Sequence, residues 1–428
     1  MISITTQALQ DTILAGGFDN RLLELYHTDQ LEAQRARYAG LVKTFASQFG
    51  ENNAPMLFSA PGRTELAGNH TDHQHGRVLA GAVTLDAIAA VLPCAERTIT
   101  LYSEGYAPVR VSVDDLTIHP EEKNTTAALI RGMAAGFQNL GAKIGGVNLS
   151  LTSDVLSGSG LSSSACFEVL IGCILNDLFF GGACSSEKIA QLGQYAENVY
   201  FGKPSGLMDQ MACAVGGCVA IDFKDPKGPA IEPVRFSPEQ AGYALVIIDS
   251  GADHADLTED YASIPREMKN AAAVFGKTVL RDVDPDLLFA QAAEVRQKAG
   301  DRAFLRAVHF VKENERVLYM TKAMRMGNMQ TFFAGVRASG DSSWELLQNI
   351  HSDRTPNKQA IAVALAAAAY ALSGEGAVRV HGGGFAGTIQ AYVPFQKLPA
   401  FIRFMEQTLF TGCCHVLGIR QNGCLRVI

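Results

Sequence analysis

Positive charge is in short supply in this sequence: across 428 residues, 36 Lys and Arg stand against 43 Asp and Glu, a net charge of −7. Without a basic field nothing draws a phosphate polymer, which argues against nucleic acid or an anionic membrane surface and leaves a small molecule as the expected partner. The opening residues 1–17 carry Asp11 and no Lys or Arg, so the basic start and apolar core of a secretory leader are missing and export is not expected. Long hydrophobic runs are missing too: the Ala-rich, charge-free stretch 359–372 falls well short of the roughly 20 residues that span a bilayer and reads as a buried helix. No C-x-x-C spacing occurs among the nine cysteines, Cys94, Cys166, Cys173, Cys184, Cys213, Cys218, Cys413, Cys414 and Cys424, an odd number scattered through apolar contexts. Reduced core thiols in a cytoplasmic chain are therefore expected, rather than a zinc site or a disulfide framework.

What is present is ample core material. The chain is 47% hydrophobic and 18% charged, and its length exceeds that of most single domains, so two lobes with a cleft between them are expected. The first 55 residues read as helices, with Leu22, Leu23, Leu25, Leu31, Leu41, Val42 and Phe45 as apolar positions. Alternating segments at 109–113 and 147–151 have the period of half-buried strands, and helical stretches at 126–138, 164–178 and 186–197 lie among them. The second half has helices around 264–275, 285–298, 303–326 and 357–372, with strands near 244–249, 377–380, 388–393 and 414–417. Such interleaving points to an α+β fold rather than a doubly wound sheet. With no repeat, Pro-rich linker or low-complexity tract to mark a boundary, the division is placed near residue 215, giving units 1–215 and 216–428.

Three segments carry chemistry. In the first, Ser157-Gly158-Ser159-Gly160-Leu161-Ser162-Ser163-Ser164, small residues precede an apolar helix, so backbone N–H groups and a helix N-terminus could cradle phosphate. It reads equally well as a Gly/Ser turn capping that helix, and with no Gly-Lys-Ser/Thr after it, it is not a Walker loop. The second, Ala60-Pro61-Gly62-Arg63-Thr64-Glu65-Leu66-Ala67-Gly68-Asn69-His70-Thr71-Asp72-His73-Gln74-His75-Gly76, looks too polar for a core. It suits polyol recognition, with Asp72 accepting from adjacent hydroxyls and His70 donating or accepting, against the alternatives of a metal on the three histidines or a surface loop. The third runs from Glu197 to Gln210. There Asp209 stands among apolar and turn-forming residues, where a carboxylate is paired, functional or a helix cap, and Glu197 is either an oxygen ligand for Mg²⁺ or a solvated helix end. A glycine cluster, His381-Gly382-Gly383-Gly384-Phe385-Ala386-Gly387, permits close approach of a ligand or another backbone.

In this order the segments resemble the GHMP kinases, most closely the galactokinase branch. The family's A-P-G-R-V-N-L-I-G-E-H-T-D-Y is similar to residues 60–73, its G-x-G-L-S-S-S-A to 158–165, its P-x-G-I-M-D-Q to 204–210, and its G-A-G-F-G-G is echoed at 382–387. Asp249-Ser250 through His254 to Tyr261 resembles a further sugar-contacting segment, so the likeness runs from about residue 40 to the end. The resemblance implies a ribosomal-protein-S5-like N-terminal lobe that binds sugar and ATP and a ferredoxin-like C-terminal lobe, whose last strand could return to the first. It also implies transfer of phosphate from ATP·Mg²⁺ to the anomeric hydroxyl of D-galactose. By position, Asp209 would be the base or orienting carboxylate and Arg63 its cation; Ser164 and Glu197 would hold Mg²⁺. Gly158 to Ser164 would hold ATP, and Asn69, His70, Asp72, Gly206 and Tyr261 would contact the sugar.

Four departures bear on the acceptor: Asn69 stands where the family has Glu, His73 for Tyr, Glu65 for Asn and Ala80 for Pro. Loss of a negative charge at residue 69 would remove repulsion against a C6 carboxylate, and His-x-Asp-His-Gln resembles plant galacturonate kinases, so a kinase for galacturonate or another galactose-like sugar is the alternative. A catalytically silent galactose/ATP sensor is disfavoured because Ser162-Ser163-Ser164-Ala165 is whole, and a mevalonate or homoserine kinase because of His70-Thr71-Asp72.

Overall fold

The computed structural model describes residues 5–26, 30–52, 54–155, 161–203, 205–252 and 257–428. Two sheets organise these residues. The first takes strands β1 (Met56–Ala67), β2 (Arg77–Cys94), β3 (Thr98–Ser103), β4 (Val109–Ser112), β5 (Gly146–Ser153), β6 (Cys218–Asp222) and β7 (Ala230–Val234). The second is built from β8 (Tyr243–Asp249), β9 (Ala377–Val380), β10 (Thr388–Pro394) and β11 (Cys414–Leu417), and β12 (Leu425–Arg426) goes back to pair with β1. The order in the first sheet is β12-β1-β2-β5-β3-β4, with β6 also on β2 and β7 on β6; only β3 and β5 run parallel. In the second it is β11-β8-β10-β9, antiparallel throughout. Thus β6 and β7, which follow residue 215, belong to the first sheet.

Both faces of the first sheet are covered, as strand alternation shows. Phe58, Ala60, Ala87, Ala89 and Val91 face a core shared with helices Thr126–Asn139, Ser163–Phe179 and Met208–Val215, whereas Leu57, Ile88 and Ala90 face the N-terminal helices Thr6–Leu14 and Leu31–Phe49. In the second sheet Ala244, Val246 and Ile248 pack on helices Ala360–Leu372 and Leu398–Thr408, while Leu245 and Ile247 point to the opposite core.

The first half of the segment read as too polar for a core is in fact buried strand, up to Ala67: Arg63, Thr64 and Glu65 are each at most 6% exposed. Thr64, Glu65 and the backbone beside them meet partners from the second half of the chain. Arg379 pairs with Glu65 and donates to Leu66 O at 3.1 Å, Gln390 donates to Thr64 Oγ1 at 2.7 Å, and Gly68 N–H donates to Glu313 Oε1 at 2.9 Å. Pro61 and Gly62, which argue against a strand in sequence, fall at a register shift between Pro61 and Arg63, where a ladder tolerates proline. The helices Met329–Ser342 and Leu398–Thr408 were not anticipated.

The N-terminal helices are joined to the sheet by a buried charge cluster. Asp86, fully buried on β2, accepts from Arg37 Nη1 at 2.6 Å and from Arg420 Nη1 at 3.1 Å, and also from Tyr26 and Ser59. Burial alone would raise its pKa, but the two guanidiniums hold the carboxyl below its ordinary value. With a depressed folded-state pKa, this contribution to stability is full above the unfolded value and is lost as pH falls through the folded one. Asp86→Ala, which strands two buried guanidiniums, should cost about 3–5 kcal/mol in urea unfolding at neutral pH; a loss below ~1 kcal/mol would show that the cluster does not hold the helices to the sheet.

Candidate active site

Arg63 leaves β1 just past the register shift, and its guanidinium grips Asp209 with both arms, Nε to Oδ1 and Nη2 to Oδ2, each at 2.7 Å. Asp209 lies in the first turn of helix Met208–Val215, but it is not the cap: Leu207 holds that position without a side-chain bond. The Asp209 carboxylate instead takes a third bond, from Ser162 Oγ at 2.6 Å. Burial pushes its pKa up, and Arg63, Ser162 and Lys203 more than reverse this, so the carboxyl ends below its ordinary value. A carboxylate held this way stays ionised at neutral pH and opens to a cleft, with 30% of its side chain exposed.

Ser162 begins the phosphate-loop helix Ser163–Phe179 with a left-handed backbone, φ 59°, and Arg63 N–H donates to Leu161 O at 3.2 Å. Gly158, Ser159 and Gly160 lie outside the described residues. The first turn of that helix carries unpaired N–H groups and positive dipole, a ready anion site. Beside it opens a cavity of about 420 Å³, walled by Ser163 and Ser164 and by the largely apolar Leu101, Tyr106, Val109, Leu129, Leu151 and Phe167. Sequence reading missed this wall because its residues come from three strands and two helices and share no motif.

Helix Ser186–Tyr195 continues into a π-helical turn, Ala196–Phe201, which carries Glu197 inward rather than leaving it at a solvated end. Glu197 Oε1 receives Lys203 Nζ at 3.0 Å and Ser164 Oγ at 3.4 Å, and Oε2 receives Gln210 Nε2 at 2.9 Å. The same Gln210 nitrogen donates to Glu168 Oε2 at 2.9 Å. Glu168 is fully buried, and burial, with the charge of Glu197, pushes it well above the usual carboxylate range. The sequence reading also passed over Glu168, although an acid in so apolar a helix is a signal. Among the described residues no cluster of three or more His, Cys, Asp or Glu side chains is arranged for a metal.

Arg63 and Asp209 line a second cavity, of about 270 Å³, together with Glu65, Asn69, His70, Asp72, His73, Lys203, Ser205, Gly206, Met208, Gly382 and Gly383. His70 meets Gly383 O at 3.0 Å through Nε2; a carbonyl only accepts, so Nε2 carries the hydrogen and Nδ1 is an acceptor. Burial, with His73 nearby, lowers His70 to about 4, so the ring is neutral. Asp72 takes His73 N–H on Oδ1 at 2.9 Å, and Oδ2 lies against Gly206, where an added Cβ would overlap it. Asn69, 1% exposed, has its amide engaged on all sides: Nδ2 donates to Gly382 O at 2.7 Å and Glu65 Oε1 at 3.1 Å, and Oδ1 accepts from Asn349 at 2.9 Å and Ser343 at 3.3 Å. Tyr261 is not among the described residues lining the cavity; it stands behind the glycine cluster and donates to Gly384 O at 2.8 Å. The structure therefore gathers Arg63, Asn69, His70, Asp72, Gly206 and Asp209 around one cavity and Ser163 and Ser164 around the other, with Glu197 beside Ser164.

Comparison with known proteins identifies the family. The profile described as GHMP kinases N terminal domain matches residues 128–217, and the galactokinase galactose-binding signature matches residues 43–93. A galactokinase of Actinobacillus pleuropneumoniae serotype 5b is 32% identical over 365 residues, 83% of this chain and 89% of the relative. One of Glaesserella parasuis serovar 5 is 32% identical over 370 residues, covering 85% and 91%. In fold, the crystal structure of Lactococcus lactis galactokinase complexed with galactose superposes with a TM-score of 0.78 at 24% identity, covering 91% of this chain and 99% of that one. Methanococcus jannaschii mevalonate kinase gives 0.61 at 14% identity, covering 86% and 98%. The fold is thus the two-lobed α+β fold of GHMP kinases, and with relatives this similar over most of its length the chain belongs to the galactokinase family.

Proposed function

We propose that the protein transfers the γ-phosphoryl group of ATP to the anomeric hydroxyl of D-galactose, giving galactose 1-phosphate and ADP. The observation that carries this reading is the Arg63–Asp209 pair, which lines the polar cavity and is tied through Ser162 to the start of the helix whose Ser163 and Ser164 wall the other cavity, where apolar side chains stand beside polar ones. A purine fits that other cavity, with its phosphates on the N–H groups of Ser163 and Ser164; a polyol fits the polar one. Asp72 and the Nδ1 lone pair of His70 accept hydroxyl hydrogens there, and Gly206 leaves room for the Asp72 carboxylate.

Beside that pair the anomeric oxygen attacks the γ-phosphorus, the bond from phosphorus to the β–γ bridging oxygen breaks, and the hydroxyl proton passes by way of Asp209 to solvent. Asp209, strongly ionised, serves chiefly to aim the hydroxyl, since in a loose phosphoryl-transfer transition state the nucleophile gives up its proton late. Arg63 keeps that carboxylate charged and offsets negative charge near the transferring group. Ser164 Oγ and Glu197 Oε1 fit as Mg²⁺ ligands, because their 3.4 Å separation is close to the spacing of about 3 Å between neighbouring oxygens on an octahedral cation. Bound there, Mg²⁺ would neutralise phosphate charge. All nine cysteines are free thiols and no helix among the described residues is long and apolar enough to cross a membrane, which supports a cytoplasmic setting.

Two outcomes are expected. In a coupled ADP-release assay with galactose, Asp209→Asn should lose about two to four decades of kcat; near-native turnover in that variant would remove Asp209 from the mechanism. With Asp209 below its ordinary pKa and His70 at about 4, neither group titrates near neutrality, so kcat/KM should show no acid limb between roughly pH 5.5 and 8. A limb centred near ~6.5 would assign the proton to another group.

A further inference from the structure

In the family motif quoted above, the position of Glu65 holds an amide and that of Asn69 holds a carboxylate. In this chain the two have changed places, and the structure shows them in contact, Asn69 Nδ2 to Glu65 Oε1 at 3.1 Å. The carboxylate has therefore moved by one hydrogen bond rather than disappeared, against the expectation drawn from Asn69 alone; burial raises the Glu65 pKa, and the Arg379 guanidinium bonded to it opposes that rise. The two side chains also differ in what they can still offer a ligand. The Asn69 amide has two donors and two acceptor positions, and Gly382, Glu65, Asn349 and Ser343 use them all. The Glu65 carboxylate is paired at Oε1 with Arg379 and Asn69, whereas Oε2 has only a long contact of 3.4 Å to the Asn69 amide. Glu65 lines the polar cavity, so Oε2 is its acceptor with capacity to spare.

The surrounding charges point the same way. Each cation at the cavity is already paired with an acid: Arg63 with Asp209, Lys203 with Glu197, and Arg379, behind Glu65, with Glu65 itself. Asp72 adds a further carboxylate to the wall, and the neutral His70 adds no charge. An acidic sugar would bring a charge into a cavity of about 270 Å³ that holds Glu65, Asp72 and Asp209 and keeps its cations occupied. A neutral polyol would find acceptors at Glu65, His70 and Asp72.

We propose that Glu65 determines acceptor selectivity, with Oε2 accepting from a sugar hydroxyl and the carboxylate excluding sugar acids, while Asn69 braces Glu65 and the glycine turn without touching the sugar. The proposal rests on the sugar-kinase reading of the cleft. It places the protein among kinases of neutral hexoses and against the galacturonate alternative that Asn69 suggested.

The test compares kcat/KM for galactose and galacturonate, by ADP release, in the native protein and in Glu65→Gln, Asn69→Glu and the exchanged double variant Glu65→Asn/Asn69→Glu. The native protein should favour galactose by about a hundredfold or more, the scale on which sites built around buried polar partners discriminate. Glu65→Gln removes the charge and releases Arg379 toward a substrate carboxylate, so the galactose-to-galacturonate ratio should fall at least ~tenfold whatever happens to the absolute rate. Asn69→Glu places two carboxylates side by side and should lose galactose activity by ~100-fold or more, and the exchanged variant should recover most of it. The ratio is the decisive readout because general loosening of the site lowers both rates together. If Glu65→Gln fails to fold, the exchanged variant carries the test: galactose preference regained supports the proposal, and galactose activity no better than in Asn69→Glu overturns it. A native protein that uses galacturonate as well as galactose, or a folded Glu65→Gln with an unchanged ratio, also overturns it. No ADP release with any hexose would instead sink the sugar-kinase reading itself.

Discussion

The bidentate bond between Arg63 and Asp209 is the constraint around which the rest is arranged. It ties β1 to helix Met208–Val215, and through Ser162 it holds the start of helix Ser163–Phe179 against the same carboxylate. Three separate parts of the chain thus converge on one charged group, which lines the polar cavity and is bonded to the start of the helix that walls the other. An ionised carboxylate at such a depth needs its own cation, since burial alone would drive it to take up a proton. The pair need not add net stability; a well-packed apolar substitute could hold the elements as firmly. What it supplies is a fixed negative charge pointing into a cleft.

The same matching of acid to cation recurs along β1 and beside it. Ser59 and Asp86 meet Arg37 and Arg420 at one end of the strand, and Glu65 meets Arg379 at the other. Just beyond, Glu313 pairs with Arg316 and binds Gly68 N–H and Ser339; burial would raise its pKa, but Arg316, His309 and Arg379 hold it at about 2. Because these groups come from both lobes, the seam is polar yet closed to water, and sliding one lobe over the other would separate several buried charges from their partners at once. Glu65 and Asn69 stand in that seam, 3.1 Å apart and both lining the polar cavity.

Much of this was legible in the chain. The motif residues Arg63, His70, Asp72 and Asp209 do meet at one cavity, and β8 to β11 fall where alternation of apolar residues placed strands. What escaped has a physical pattern. β1 was hidden because its side chains are polar and their partners lie far along the chain, Arg379 being 314 residues beyond Glu65 and Asp209 146 beyond Arg63; local composition cannot report a partner at that distance. The cavity beside Ser163 and Ser164 escaped because no spacing rule links Leu101 on β3 to Phe167 in a helix. The hydrogen bond of Asn69 to Glu65, four residues earlier, was not legible either, because nothing in the residue pattern announces that contact.

The phosphate end shows the same economy of charge in another form. Gln210 shares a single amide nitrogen between Glu168 and Glu197, two acids with one short chain of bonds between them. Two carboxylates so close in a buried site resist ionising together, and the structure separates them by environment: Glu197 has Lys203 at 3.0 Å, whereas Glu168 has no cation bonded to it and one oxygen without a partner. Burial without a cation of its own therefore favours the proton on Glu168, and Gln210, donating to each acid, joins it to the one that stands beside Ser164.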